Sequence, residues 1–131
     1  MSDARRKRPR KSPSRSVKRA PAKTAVPRLE LLVAAALGDL KAVNVRVLDV
    51  RRFSDIFDTL VIASGNSDRH VRSIADSVVE KAKRAGCMPL GVEGKATGDW
   101  VLVDLGDVVV HVMLPRVREF YGLEKLWAVS R

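Results

Sequence analysis

Asp104 and His111 lie seven residues apart in DLGDVVVH, and a carboxylate beside an imidazole is the pairing that general-base chemistry uses. Three other stretches carry reactive residue types. SGNSD at 64–68 offers Gly65, Asn66 and Ser67 ahead of a predicted helix, where free backbone N–H groups could cradle a phosphate. Cys87 is a single thiol, and Asp99, Asp104 and Asp107 are scattered acids of the kind that hold magnesium. Each falls short of a catalytic set. In SGNSD there is no Walker lysine and no three-glycine fingerprint, so Gly65 is expected to permit the turn, Ser67 or Asn66 to cap the helix, and Asp68 to complement its dipole. Cys87 sits between Gly86 and Met88, the setting of a loosely packed, inert thiol. The two histidines, His70 and His111, lack metal-ligand spacing, and His70 and Arg72 read as solvated surface. We therefore expect no catalytic residue, no cofactor and no metal site, and no Ser or Cys stands ready beside Asp104 and His111 to be activated.

The element that must position those two residues is a hairpin, WVLVDLGDVVVHVM at 100–113, with Gly106-Asp107 as its turn. A two-residue turn pairs Leu105 with Val108 and continues outward to Trp100 with Met113. Alternation then separates two faces. Val101, Val103, Leu105, Val108, Val110 and Val112 share one, an aliphatic set that reads as core. Trp100, Leu102, Asp104, Val109, His111 and Met113 share the other. A four-residue loop preserves this partition, whereas an odd-length loop with a bulge destroys it. The mixed face has the composition of a protein-binding surface, an aromatic and a methionine among a few polar groups. If the chain's own helices cover it, Trp100 and Met113 are instead a core sulfur-aromatic pair.

The remaining elements follow from periodicity. Leu29, Leu32, Val33, Ala36, Leu37 and Leu40 form a helical stripe from about residue 28, with Pro27 at its first turn. A strand is predicted over 43–53 and a central, doubly buried one in TLVIA at 59–63. Val71, Ile74, Ala75, Val78, Ala82 and Ala85 mark a second helix ended by Gly86 and Pro89, and 90–93 a short strand. After Pro115, Val117, Phe120, Tyr121 and Trp127 predict one terminal helix despite Gly122. The fold class is α/β (α+β): a mixed sheet of about five strands with helices, in one domain over 28–131.

The chain's 131 residues carry a net charge of +10, but unevenly. Residues 1–27 hold ten basic residues against one acid, a balance of +9, and the remainder holds 15 against 14. That segment, with four prolines and four serines, is expected to be a disordered basic tail. It suits a nucleic-acid or ribosome-contacting arm; a transit peptide and a solubilising tail are the alternatives. One cysteine excludes an intrachain disulfide and fits a reducing compartment. No run approaches the ~20 apolar residues of a membrane span. The expected location is the cytoplasm, or a mitochondrion or chloroplast if the tail is a transit peptide.

SGNSDRHVRSIADSVVEKAKRAG, PLGVEG, DWVLVDLGDVVVHVM and REFYGLEKLW, in that order and spacing and preceded by KAVNVRVLDV, resemble the ribosomal silencing factor family, also called the Iojap family. The resemblance spans roughly residues 29–127. It implies a nucleotidyltransferase-like topology without the catalytic residues. It also implies a translation repressor that binds the large ribosomal subunit through its fourteenth protein and blocks joining of the small subunit under nutrient limitation. Carried over by position, it implicates Trp100 and Tyr121 as partner contacts, with Asp104, His111, Met113, Glu119 and Glu124 beside them. Two departures stand out: Thr59-Leu60 where an aromatic commonly follows the Asp, and a longer basic start, whose role is not inherited. Ribosomal RNA is a candidate target for that tail. A homodimer is a second occupant for the apolar face, and a nucleotidyltransferase-like enzyme or a general RNA-binding module are the competing functions.

Overall fold

The computed structural model describes residues 19–128. Helix α1 (Arg19–Asp39) is followed by strands β1 (Val43–Asp49) and β2 (Thr59–Ser64), helix α2 (Asp68–Arg84), strands β3 (Gly91–Glu93), β4 (Trp100–Asp104) and β5 (Val108–Met113), and helices α3 (Pro115–Tyr121) and α4 (Leu123–Ala128). The five strands form one sheet in the order β1-β2-β5-β4-β3. Only β2 and β5 run parallel; the other neighbours are antiparallel, giving the mixed α+β architecture that the sequence predicts.

The hairpin register is the expected one, from Asp104 opposite Val109 to Trp100 opposite Met113. Leu105 N–H donates to the Val108 carbonyl at 2.9 Å, which closes a two-residue turn. Gly106 has φ +93° while Asp107 keeps a negative φ, the pattern of a type II′ turn, which demands glycine at its first central position. Asp104 tightens that turn by accepting the Gly106 N–H at 2.9 Å.

The aliphatic face of the hairpin joins Val61 and Ala63 of β2 beneath α1 and α2. Helix α2 presents Val71, Ile74, Ala75, Val78 and Ala82 to this core, and α1 presents Val33, Ala36 and Leu37. Ala85, expected on the α2 stripe, is instead its exposed C-cap. Ser67 caps α2 by accepting the His70 N–H at 3.1 Å. Gly65 serves that junction by its missing side chain rather than by a special φ: a Cβ there would stand 2.9 Å from both the backbone N and a methyl of Val71.

Three boundaries differ from expectation. Helix α1 starts at Arg19 rather than near residue 28, because Ala20, Ala22 and Ala25 are strong helix formers and Pro21 falls in the first turn, where no donor is needed. The expectation of disorder over 1–18 lies outside the described residues. Strand β1 stops at Asp49, whose carboxylate folds back onto the Arg51 backbone and guanidinium. The terminal helix is two helices, because Gly122 takes the left-handed conformation (φ 57°, ψ 37°) that ends α3.

Replacing Gly65 by Ala is expected to destabilise the fold by about 1–3 kcal/mol through overpacking against Val71, read as a lower urea midpoint with an unchanged m-value.

Candidate functional site

The mixed hairpin face is half covered. Val109 and Met113 join Leu60, Ile62 and Val50 in a second apolar cluster, against which Phe57, Leu123 and Trp127 pack. Phe57 and Trp127 meet edge-on with ring centroids 5.9 Å apart. Helices α3 and α4 thus shield the β1 and β2 side of this face, while the hairpin's outer rim is left to Trp100.

Trp100 is half-buried and tied down from behind. Its Nε1–H donates to His111 Nδ1 at 2.9 Å. An indole only donates, so Nδ1 is the unprotonated nitrogen and the ring is a neutral imidazole with its proton on Nε2. Burial favours that form and pushes the His111 pKa down to about 4. On its other side Trp100 meets Tyr121 at 5.0 Å between centroids, and Tyr121 meets Phe120 edge-on at 4.9 Å. Tyr121 is 59% exposed and Phe120 80%, so the three rings form a ridge that rises from the sheet into solvent. Phe120 is one of the residues whose spacing predicts the terminal helix. It faces out because Val117 and Arg118 already fill the inner side of the seven-residue α3, and adjacent helical positions diverge by ~100°. The consecutive pair Phe120-Tyr121 is the sequence signal that could have revealed it.

The other residues placed at this site by sequence have different positions. Met113 is a correction: it is fully buried within the second cluster and presents nothing to a partner. His111, 8% exposed, supports the ridge from beneath. Asp104 belongs to the turn at the far end of β4, four residues or ~13 Å of strand from Trp100. Its carboxylate goes to Gly106 and the His111 ring to Trp100, so the acid-imidazole pair suggested by spacing is not assembled. Glu124 is an internal counterion. It takes the Arg118 guanidinium with two bonds of 2.9 and 3.1 Å and meets Arg46 at 3.3 Å. Hydrogen bonding to Arg118 holds its carboxyl below the usual range. Arg118, buried and unforeseen, also donates to Ser64 Oγ at 2.9 Å, so this cluster fastens α3 and α4 to β1 and β2. Glu119 is exposed beside Phe120.

Outside the ridge, the SGNSD turn is spent on capping, and His70 is structural rather than solvated. Its Nδ1 accepts the Asn66 N–H at 2.9 Å, and its Nε2 reaches the Leu40 carbonyl at 2.7 Å, linking the end of α1 to the start of α2. Burial and the Asp107 charge raise the Cys87 thiol pKa, which disfavours the thiolate. Among the described residues, no group of three or more His, Cys, Asp or Glu could hold a metal ion, and no helix is long and apolar enough to cross a membrane.

Fold and site together define a small α+β protein whose candidate residues form a supported aromatic ridge. Residues 23–131 match the family described as ribosomal silencing factor during starvation. The chain is 47% identical over 96 residues to the ribosomal silencing factor RsfS of Chromobacterium violaceum, covering 73% of this chain and 79% of that one. It is 43% identical over 96 residues to RsfS of Bacillus subtilis, covering 73% and 81%. A crystal structure of a Chromobacterium violaceum protein superposes with a TM-score of 0.78 at 44% identity, covering 79% of this chain and 86% of that one. Relatives named Iojap occur in plants, among them a chloroplastic protein of Zea mays that is 32% identical over 95 residues, covering 72% of this chain and 41% of that one. The chain belongs to the ribosomal silencing factor family, whose members are translation regulators that act through the ribosome.

Two stability effects follow from the ridge's supports. Because the folded His111 pKa of about 4 lies below its ordinary 6.5, the unfolded chain takes up the proton first. Stability should therefore fall as pH drops from 6.5 toward 4, by at most about 3 kcal/mol, and His111→Gln should flatten that dependence in urea melts across this range. Glu124→Ala leaves Arg118 buried without its carboxylate. The expected cost is about 2 kcal/mol, below the ~3–5 of a fully buried pair since Glu124 is 21% exposed, with red-shifted Trp127 emission as α4 loosens.

Proposed function

We propose that this protein represses translation by docking on the large ribosomal subunit, through that subunit's fourteenth protein, and sterically preventing the small subunit from joining. The observation that carries this reading is the ridge of Trp100, Tyr121 and Phe120. Large rings fixed from behind and exposed in front have few rotamers to lose on binding and much area to desolvate, which is how interface anchors act. Glu119, exposed on the same helix, suits a basic ribosomal partner.

The family's description, which includes starvation, supports action under nutrient limitation. A mouse relative, 42% identical over 81 residues and covering 60% of this chain and 34% of that one, is named for mitochondrial assembly of the ribosomal large subunit, which supports the choice of subunit. The mechanism is non-enzymatic: the ridge contributes area, and the body obstructs. Bacterial relatives support a cytoplasmic setting, with an organelle as the alternative if residues 1–27 are a transit peptide. A homodimer through the same ridge would compete with the ribosome.

Sedimentation with purified large subunits tests the reading. Trp100→Ala and Tyr121→Ala should each weaken co-sedimentation by about 2 kcal/mol or more, roughly 30-fold, and restore subunit joining, while the urea midpoints show the variants folded. Normal co-sedimentation by both folded variants would sink the site; co-sedimentation without any effect on subunit joining would sink the mechanism.

A further inference from the structure

The two histidines differ in how much of each ring is used. His70 engages both nitrogens: Nδ1 accepts the Asn66 N–H and Nε2 meets the Leu40 carbonyl. His111 engages one. Its Nδ1 accepts the Trp100 indole N–H, which leaves the ring proton on Nε2. Among the described residues, nothing accepts a hydrogen bond from that Nε2–H. The residue is 8% exposed, so the fold holds a buried donor without an acceptor, which costs free energy comparable to a lost hydrogen bond. Arg118, equally buried, shows the contrast: its Nε and Nη2 donate to Glu124 and its Nη1 to Ser64.

The surroundings of His111 explain why the fold supplies no acceptor. It lies on β5 between Leu102 of β4 and Ile62 of β2, with Val109 and Met113 on either side along the same face. Those four side chains offer one weak acceptor, the Met113 thioether. Here β5 is paired on both sides, and ladder bonds keep main-chain carbonyls in the plane of the sheet while side chains stand away from it. Within the ring, Nε2 lies at the end far from the backbone, and its N–H axis diverges from the Nδ1 lone pair that faces the indole. Helices α3 and α4 cover the β1 and β2 side of this face, whereas on the β4 side Leu102 and Trp100 are only half-buried. An acceptor from outside the chain would come from that side.

We propose that the His111 Nε2–H is the specificity-determining donor of the docking ridge, and that the partner presents to it a neutral carbonyl oxygen, from its main chain or an amide side chain, beside Trp100 and Leu102. His111 acts here within the docking site proposed above, and its role rests on that reading. A carboxylate would lose its hydration among Leu102, Val109 and Met113, and the buried cation among the described residues, Arg118, is already committed to Glu124 and Ser64. A partner that brings an ammonium or an aliphatic group to this position leaves the imidazole N–H unpaired, and that penalty rejects it. Trp100 serves this contact as well as its own. Its indole N–H fixes the tautomer and, by polarising the imidazole, strengthens Nε2–H as a donor.

A double-mutant cycle on large-subunit binding by the full chain tests the donor. Trp100→Phe keeps a ring in the ridge but removes the indole N–H, so any role of His111 as a prop for that N–H ends there. In the Trp100→Phe background, His111→Leu should weaken binding by a further factor of roughly ten. His111→Gln, whose amide can donate, should recover most of that loss, with urea midpoints showing every variant folded. No further loss on His111→Leu in that background would overturn the donor and leave His111 a support of Trp100 alone. Equal losses for Leu and Gln would overturn the need for an N–H. The affinity ratio between the unmodified chain and His111→Leu should hold constant from pH ~7.5 to ~6; a ratio that grows as pH falls would reveal a carboxylate drawing a proton onto the ring and overturn the neutral acceptor. Failure of the unmodified chain to bind large subunits would overturn the docking reading itself, and this role of His111 with it.

Discussion

The two-residue turn at Gly106-Asp107 sets the register on which the rest of the molecule depends. Closing the hairpin with the Leu105 to Val108 hydrogen bond puts five valines and Leu105 on one side and Trp100 and His111 on the other. A slip of one residue would exchange the faces, sending an indole and an imidazole under α1 and α2 and setting valines against α3 and α4. The sheet continues from β5 to β2 through its one parallel pair, so the same register also decides that Ile62 and Leu60 face α4 while Val61 and Ala63 face α2. One turn thus determines which layer is sealed core and which is built to be left partly open.

The open layer is held by polar contacts rather than by bulk. Short helices such as α3 and α4, of seven and six residues, are not stable on propensity alone. The Arg118–Glu124 pair, with its reach to Ser64 and Arg46, spans both of them and strands β1 and β2, and Gly122 supplies the bend that lets Glu124 turn back to Arg118. The arrangement stiffens the platform from which Phe120 and Tyr121 project. Both sheet edges are blunted at the same time: β3 has three residues, and β1 carries an irregularity after Val43 with Asn44 at φ 51°. Such edges are poor templates for a second sheet, which lets the chain expose aromatic rings without inviting strand pairing.

Features controlled by local periodicity were legible in the sequence. The hairpin faces, the buried TLVIA strand, the α2 stripe as far as Ala82 and its Ser67 cap each depend on residues a few positions apart, and each appears where patterning puts it. What was not legible depends on partners far away in the chain. Glu124 looked like a surface acid because its guanidinium ligands are Arg118, whose own anchor Ser64 lies 54 residues away, and Arg46, 78 residues away. Met113 shared a face with Trp100 and was given its role, but alternation assigns a side and cannot say how far along that side a covering helix extends. Residues 19–27 were judged by charge and proline content, while their alanines favoured helix.

The bond between the Trp100 indole and the His111 imidazole joins a half-exposed ring to a buried one. Replacing the histidine with an aliphatic group would strand an indole N–H against apolar neighbours, and replacing the tryptophan would leave a buried ring nitrogen seeking a donor. Neither position can drift alone without loss. Selection on the outer contact therefore reaches inward, and within a lineage the two positions should change together or not at all.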